Sequence, residues 1–277
     1  MSKVPRLIDG EQKVFFKAAG DWCYLWTPVT FKHDEPIPVV IQHHGNGGYV
    51  REGAADWLLT EPRGLAHGFD PDFKIKIMNA VMRGGGCAVA GSHACGNHWG
   101  NPCSVEANSF LYDALIASPQ IDSERVGMVG GGLGGLLIWN SIAGPLSGKI
   151  KAVAVMQSVV SIEATIREQK FKAQLLEAFD LPGDMPDDEA VAETADSDSL
   201  PKLQSLASGT PLPTTGIYHG AVDDNIPAET NAIPLAEALR KAGGDVTLNI
   251  FPGVGHNVYF MGKAIEDHIE AFFAENL

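Results

Sequence analysis

The stretch Val126-Gly127-Met128-Val129-Gly130-Gly131-Gly132-Leu133-Gly134-Gly135 decides how this chain reads. An apolar run enters a glycine turn, and a helical pattern follows at 133–143, so the segment is a strand, a tight turn and a helix. Two chemistries use such a turn. A dinucleotide loop, G-x-G-x-x-G, is satisfied by Gly130, Gly132 and Gly135, but it needs an acid about 20 residues on to hold a ribose. The next apolar run ends Met156-Gln157-Ser158, and no acid comes before Glu163. A nucleophile elbow, G-x-S-x-G, needs small residues two before and two after its central residue. Gly130 and Gly134 stand there, with Gly132 at the centre. The context favours the elbow.

Working outward, apolar runs at 13–17, 22–27, 39–43, 87–91, 125–130, 151–157, 215–219 and 246–251 read as strands. Helical periodicity covers 72–83, 104–117, 133–143, 228–242 and 262–275. The later strands are short, rich in Val and Ile and bounded by Gly or Pro, as strands buried on both faces are. Pro227 and Gly243-Gly244 bracket the helix at 228–242, and Ser104 reads as the N-cap of the helix at 104–117. Two early strands followed by β-α repeats give a mostly parallel sheet with helices on both faces.

The whole chain, 1–277, reads as one domain with two long excursions. The first, 46–71, carries Trp57, Pro62, His67 and Phe69. The second, 159–212, separates two strands by more than one helix needs and is read as a cap. A helix is expected at 162–179, followed by an acidic surface run at 180–199.

Three further segments sit at strand ends. Val39-Val40-Ile41-Gln42-His43-His44-Gly45-Asn46-Gly47-Gly48 is a strand with a glycine loop. Tyr218-His219-Gly220-Ala221-Val222-Asp223-Asp224-Asn225-Ile226-Pro227 ends a strand on a pair of acids. Phe251-Pro252-Gly253-Val254-Gly255-His256-Asn257 follows the last strand. Taken singly, Asp223 could be a turn residue, His256 a surface histidine and Gly45–Gly48 a plain turn.

Together with the elbow, these segments resemble the α/β-hydrolase superfamily, whose order is nucleophile, acid, histidine. The resemblance covers 39–256. It implies the α/β-hydrolase fold and hydrolysis of a carboxylic ester or related acyl bond in a small-molecule substrate, with no cofactor. It also implies Asp223 as catalytic acid, His256 as base, Gly132 at the nucleophile's position and amides of Asn46 and Leu133 as oxyanion donors.

The segment Gly91-Ser92-His93-Ala94-Cys95-Gly96-Asn97-His98-Trp99-Gly100-Asn101-Pro102 resembles an H-G-x-N-W-G-N loop of prolyl-oligopeptidase-like and dienelactone-hydrolase-like proteins. That likeness implies a pocket wall with His98 and Trp99 near the substrate, and His44 is placed with them. His93, Cys95 and His98 match no zinc spacing, so no metal is expected.

Glycine cannot form an acyl-enzyme, so the motif departs from its pattern where covalent chemistry would occur. Three readings stay open. The chain is an inactivated form of a Ser-His-Asp hydrolase, a His/Asp-dyad enzyme that activates water or abstracts a proton, or a ligand-binding module without turnover. Ser92, Cys95, Cys103, Ser104 and Ser158 lie near strand ends, but none sits on an elbow.

Composition narrows the partners. With 34 acidic against 20 basic residues and a net charge of −14, nucleic-acid backbones and anionic membrane surfaces are unfavourable partners. No apolar run reaches the ~18 residues of a membrane span. Residues 1–7 carry no apolar leader, which suggests a cytoplasmic protein. The irregular spacing of Cys23, Cys87, Cys95 and Cys103 reads as reduced thiols. Oligomeric state has no signature in the sequence.

Overall fold

The structure is a computed structural model that describes residues 3–58 and 72–277. Pro62, His67 and Phe69 of the first excursion lie outside the described residues.

The strands are β1 (Gln12–Ala18), β2 (Asp21–Thr27), β3 (Ile37–His43), β4 (Val50–Arg51), β5 (Ala54–Ala55), β6 (Ala88–Ser92), β7 (Ile121–Gly132), β8 (Ala152–Ser158), β9 (Thr214–Gly220) and β10 (Val246–Phe251). The helices are α1 (Phe73–Gly85), α2 (Pro102–Ile116), α3 (Gly134–Ile142), α4 (Ile162–Arg167), α5 (Lys172–Ala178), α6 (Asp187–Thr194), α7 (Ser199–Gln204), α8 (Ala232–Lys241) and α9 (Lys263–Asn276). Eight strands form one sheet in the order β1-β2-β6-β3-β7-β8-β9-β10. The β1–β2 and β2–β6 pairs are antiparallel, and every pair from β6 to β10 is parallel. β4 and β5 make a separate two-stranded ribbon, which the sequence reading did not anticipate. This is the α/β-hydrolase architecture that the motif order implied.

Every residue of β3 and β8 is buried, because successive side chains alternate between two covered faces. Val39, Ile41, Met128, Val153 and Val155 meet Leu111 and Leu115 of α2, Ile138 and Trp139 of α3, and Leu235 and Leu239 of α8. Val40, Val129, Ala154 and Met156 meet Ile77 and Val81 of α1 and Ile269 and Phe273 of α9. Each buried Val, Leu, Ile, Met or Phe among them contributes about 1.5–3 kcal/mol by leaving water. The core therefore holds the strand ends, and the loops that leave them, in fixed register.

Local chemistry corrects several boundaries. The N-cap of α2 is Asn101, whose side chain accepts from the Ser104 amide at 3.0 Å, with Pro102 in the first turn. Ser104 is thus inside the helix. α8 begins at Ala232 rather than after Pro227, since 227–231 is taken up by turns. The expected helix at 162–179 is two helices, α4 and α5, with Gln169 at φ +64 between them. The acidic run is helical too. Asp187, Asp188 and Glu189 fill the first turn of α6, where negative charge meets the positive end of the helix dipole.

The cysteine expectation is also corrected. Cys95 and Cys103 form a disulfide with Cα atoms 6.4 Å apart, while Cys23 and Cys87 are free and buried. The two partners close a short loop, which the bare spacing did not reveal. Among the described residues, no helix is long and apolar enough to cross a membrane.

Candidate active site

The glycine turn is packed almost everywhere. A side-chain carbon at Gly131 would collide with the Tyr259 hydroxyl, and one at Gly134 would stand 2.7 Å from the His43 carbonyl. At Gly135 it would meet the Ser158 Cβ at 2.5 Å. Gly132 differs. Its φ is +55°, and its nearest neighbour would be the Gly45 Cα at 3.9 Å. Close contact explains Gly131, Gly134 and Gly135. At Gly132 a side chain has room, and only the left-handed backbone favours glycine.

Asp223 and His256 come from the loops after β9 and β10, 33 residues apart, and they meet. His256 Nδ1 lies 2.9 Å from Asp223 Oδ2 and 3.1 Å from Oδ1. Asp223 Oδ1 also accepts from the amides of Asn225 at 2.9 Å and Ile226 at 3.0 Å. Burial raises the Asp223 carboxyl, but the His256 bond and the Ile226 and Asn225 amides outweigh it, so it sits below its usual range. An imidazole that donates Nδ1–H to this carboxylate presents Nε2 as an acceptor. Asp224, its neighbour, points elsewhere and accepts from Lys170 through its backbone carbonyl at 2.7 Å.

A second histidine flanks the acid. His219 is fully buried, donates Nε2–H to the Ile226 carbonyl at 2.7 Å, and lies 3.6 Å from Asp223 Oδ2. Burial holds it below its ordinary range despite the carboxylate. It braces the loop that carries the acid, and nothing in the sequence motif marked it.

A cavity of about 250 Å³ opens over the turn. Gly132, Leu133, Gly45, Asn46 and His256 all line it. The Asn46 side chain donates to Gln174 of α5 at 3.2 Å, and the Gly47 amide donates to Asn97 at 2.7 Å. The glycine loop is therefore tied both to α5 and to the loop after β6.

Of the residues expected beside the substrate, Trp99 stands in the cavity wall, against Phe171 at a ring separation of 6.1 Å. His44 and His98 do not line the cavity. They are 2% and 0% exposed and pack edge to face with centroids 5.3 Å apart. His44 Nε2 lies 2.9 Å from the His93 carbonyl, and His98 Nδ1 accepts from the Gly100 amide at 3.0 Å. They support the loops from behind.

The sequence reading missed other wall residues. Tyr259, Phe73 and Trp57 form one aromatic side, with ring separations of 5.3 and 5.9 Å to Tyr259. Lys74 joins them, ion-paired with the buried Asp56. Gln157 also reaches the cavity. A period-two pattern says that a residue is buried, not that it borders a cavity.

Residues 92–277 match the model of the prolyl oligopeptidase family. The chain belongs to that family, within the α/β hydrolases. A curated relative, the uncharacterized peptidase YuxL of Bacillus subtilis (strain 168), is 26% identical in a 272-residue alignment that covers 92% of this chain and 37% of YuxL. The chain thus spans little more than a third of that relative's length. Two solved structures share the fold. A puromycin-hydrolyzing peptidase of Mycobacterium tuberculosis aligns with 96% of this chain and 39% of its own, at 15% identity and TM-score 0.72. Carboxyl esterase 2 of Tuber melanosporum aligns with 99% of this chain and 92% of its own, at 17% identity and TM-score 0.64.

Proposed function

We propose that this chain carries the site of a carboxylic-ester or related acyl hydrolase in which Gly132 stands where the nucleophilic serine belongs. Asp223 orients His256, and His256 is the base. The amides of Asn46 and Leu133 are the oxyanion donors, and the substrate is a small molecule. One observation carries the reading. Gly132 is the glycine of its turn whose side-chain space is open, and that space borders the cavity lined by His256.

The mechanism follows from the groups present. In a serine form, the hydroxyl at 132 passes its proton to His256 Nε2 and attacks the acyl carbon. The charge that develops on the acyl oxygen is met by the two amides, while Asp223 stabilises the imidazolium. With glycine, no acyl-enzyme forms. In triad enzymes this loss is of order 10⁶-fold in kcat.

A second reading draws on the same open space, which leaves room for a water beside His256. The histidine, backed by Asp223, would then activate that water directly. A binding module without turnover is the third outcome. The test is Gly132→Ser, assayed on short aryl esters beside the glycine chain. Hydrolysis that appears only with serine supports the first reading. Turnover in the glycine chain that His256→Ala abolishes supports the second. A panel of esters inert in both forms rejects both hydrolytic readings.

A further inference from the structure

At the end of β8, the ladder with β7 changes register. Gly131 pairs with Met156, but Gly132 pairs with Ser158. Gln157 is the extra residue, bulged out directly beside the glycine turn. Its φ is +37°, a conformation costly for any residue with a Cβ, and it is 2% exposed. Bulges of this kind re-aim a side chain, and they gather near active sites.

The side chain it aims is a buried amide with two ends. Its Oε1 accepts from the Val258 amide at 2.8 Å, 101 residues along the chain. Val258 lies two residues past His256, and Asn257 between them holds φ +80°. The Gln157 bond thus fastens a left-handed turn that follows the histidine directly. The other end, Nε2, donates to no described residue and is not sealed off from solvent-sized space. Gln157 lines the cavity together with Gly132 and His256.

We infer that Gln157 is a positioning residue of this site: its carbonyl end holds the His256 turn over Gly132, and its amide end donates to an acceptor oxygen of the bound substrate. The second half rests on the hydrolase reading above, whereas the first does not. Both tasks need a planar group with one acceptor and one donor at fixed separation, and Gln supplies these without charge. The strained backbone is what brings a strand-end side chain to the histidine loop.

Two substitutions separate the two ends. Gln157→Gly relieves the backbone and removes both. Gln157→Glu keeps an acceptor for Val258 and removes the donor. The first readout is the low-field proton resonance of His256 Nδ1–H, held against Asp223 and assigned by its loss in His256→Ala. It is measured in the glycine chain, without any turnover. It is expected to persist in Gln157→Glu and to broaden in Gln157→Gly, with Tm in Gln157→Gly no lower than in the parent.

The second readout uses Gly132→Ser on aryl esters. Gln157→Gly is expected to lower kcat at least about tenfold, as small misplacements of reacting groups do. Gln157→Glu is expected to act mainly on KM. An unchanged resonance together with kcat within twofold in Gln157→Gly overturns the inference. So does a loss of Tm and resonance together in both variants, because that marks a structural prop. If Gly132→Ser hydrolyses no ester, the hydrolase reading fails, and the resonance alone still judges whether Gln157 holds the histidine.

Discussion

A side-chain carbon on Gly132 would lie 3.9 Å from the Cα of Gly45, an ordinary van der Waals separation between the turn after β7 and the loop after β3. The site therefore has space for a residue that it does not contain. What opposes one is the backbone, at φ +55°.

That balance gives the first expectation. Gly132→Ala and Gly132→Ser should fold and lose about 1–2 kcal/mol of stability, the cost of placing a Cβ in the left-handed region. Urea denaturation measures it. A loss above about 4 kcal/mol would mean a steric clash and would contradict the open space at Gly132.

Asp223 gives the second. In the Gly132→Ser background, Asp223→Asn should lower kcat by about 10⁴-fold, because an asparagine cannot hold the Nδ1–H tautomer of His256. Asp224→Asn should leave kcat near that of its parent, as its backbone carbonyl meets Lys170 instead. Equal losses in steady-state assays of both variants would mean that the acid has been misassigned.

The histidines behind the cavity set a pH dependence of stability. His43 is pushed down to about 3 by burial first and by His44 second. Burial also depresses His44 and His98, the latter well below its ordinary value. Unfolded histidine titrates near 6.5, so below that pH the unfolded chain binds protons that the folded chain refuses. Stability should therefore be greatest above pH 6.5 and fall as pH drops toward 5, with His43 alone approaching a slope of about 1.4 kcal/mol per pH unit. The unfolding free energy, measured by urea titration at pH 7.5, 6.5, 5.5 and 5.0, tests this. A flat profile over that range would contradict it.

The Cys95–Cys103 disulfide closes the loop that carries Trp99 into the cavity wall and Asn97 to the Gly47 amide. A ring this short should contribute about 2–3 kcal/mol by restricting the unfolded chain. Reduction with a dithiol, or Cys95→Ser with Cys103→Ser, should lower stability by that amount while the sheet's circular dichroism persists. No change in the urea midpoint on reduction would refute it.

Much of this architecture was legible in residue order. Glycines at 130 and 134 around a strand-to-helix turn, Asp223 after one late strand and His256 after the last follow a chain order that few folds share. The continuous apolar runs of β3 and β8 marked strands covered on both faces. Other features left no such trace. The acidic segment read as a surface run became α6, because charge at a helix N-terminus and charge in water look alike in a sequence. Ser104 yielded its capping role to Asn101, since both are good caps and the choice depends on where Pro102 starts the helix.

The resemblance to the α/β hydrolases implied which loops meet, while by itself the amino-acid sequence determined the class of fold and the order of its elements. Those follow from periodicity and turn chemistry, which are local. Only the tertiary structure decided that Gly132 has an open side-chain space, that His44 and His98 lie behind the cavity, and that Gln157 reaches across to the histidine turn. These are distances between residues far apart in the chain, and they are fixed by how the covered sheet packs.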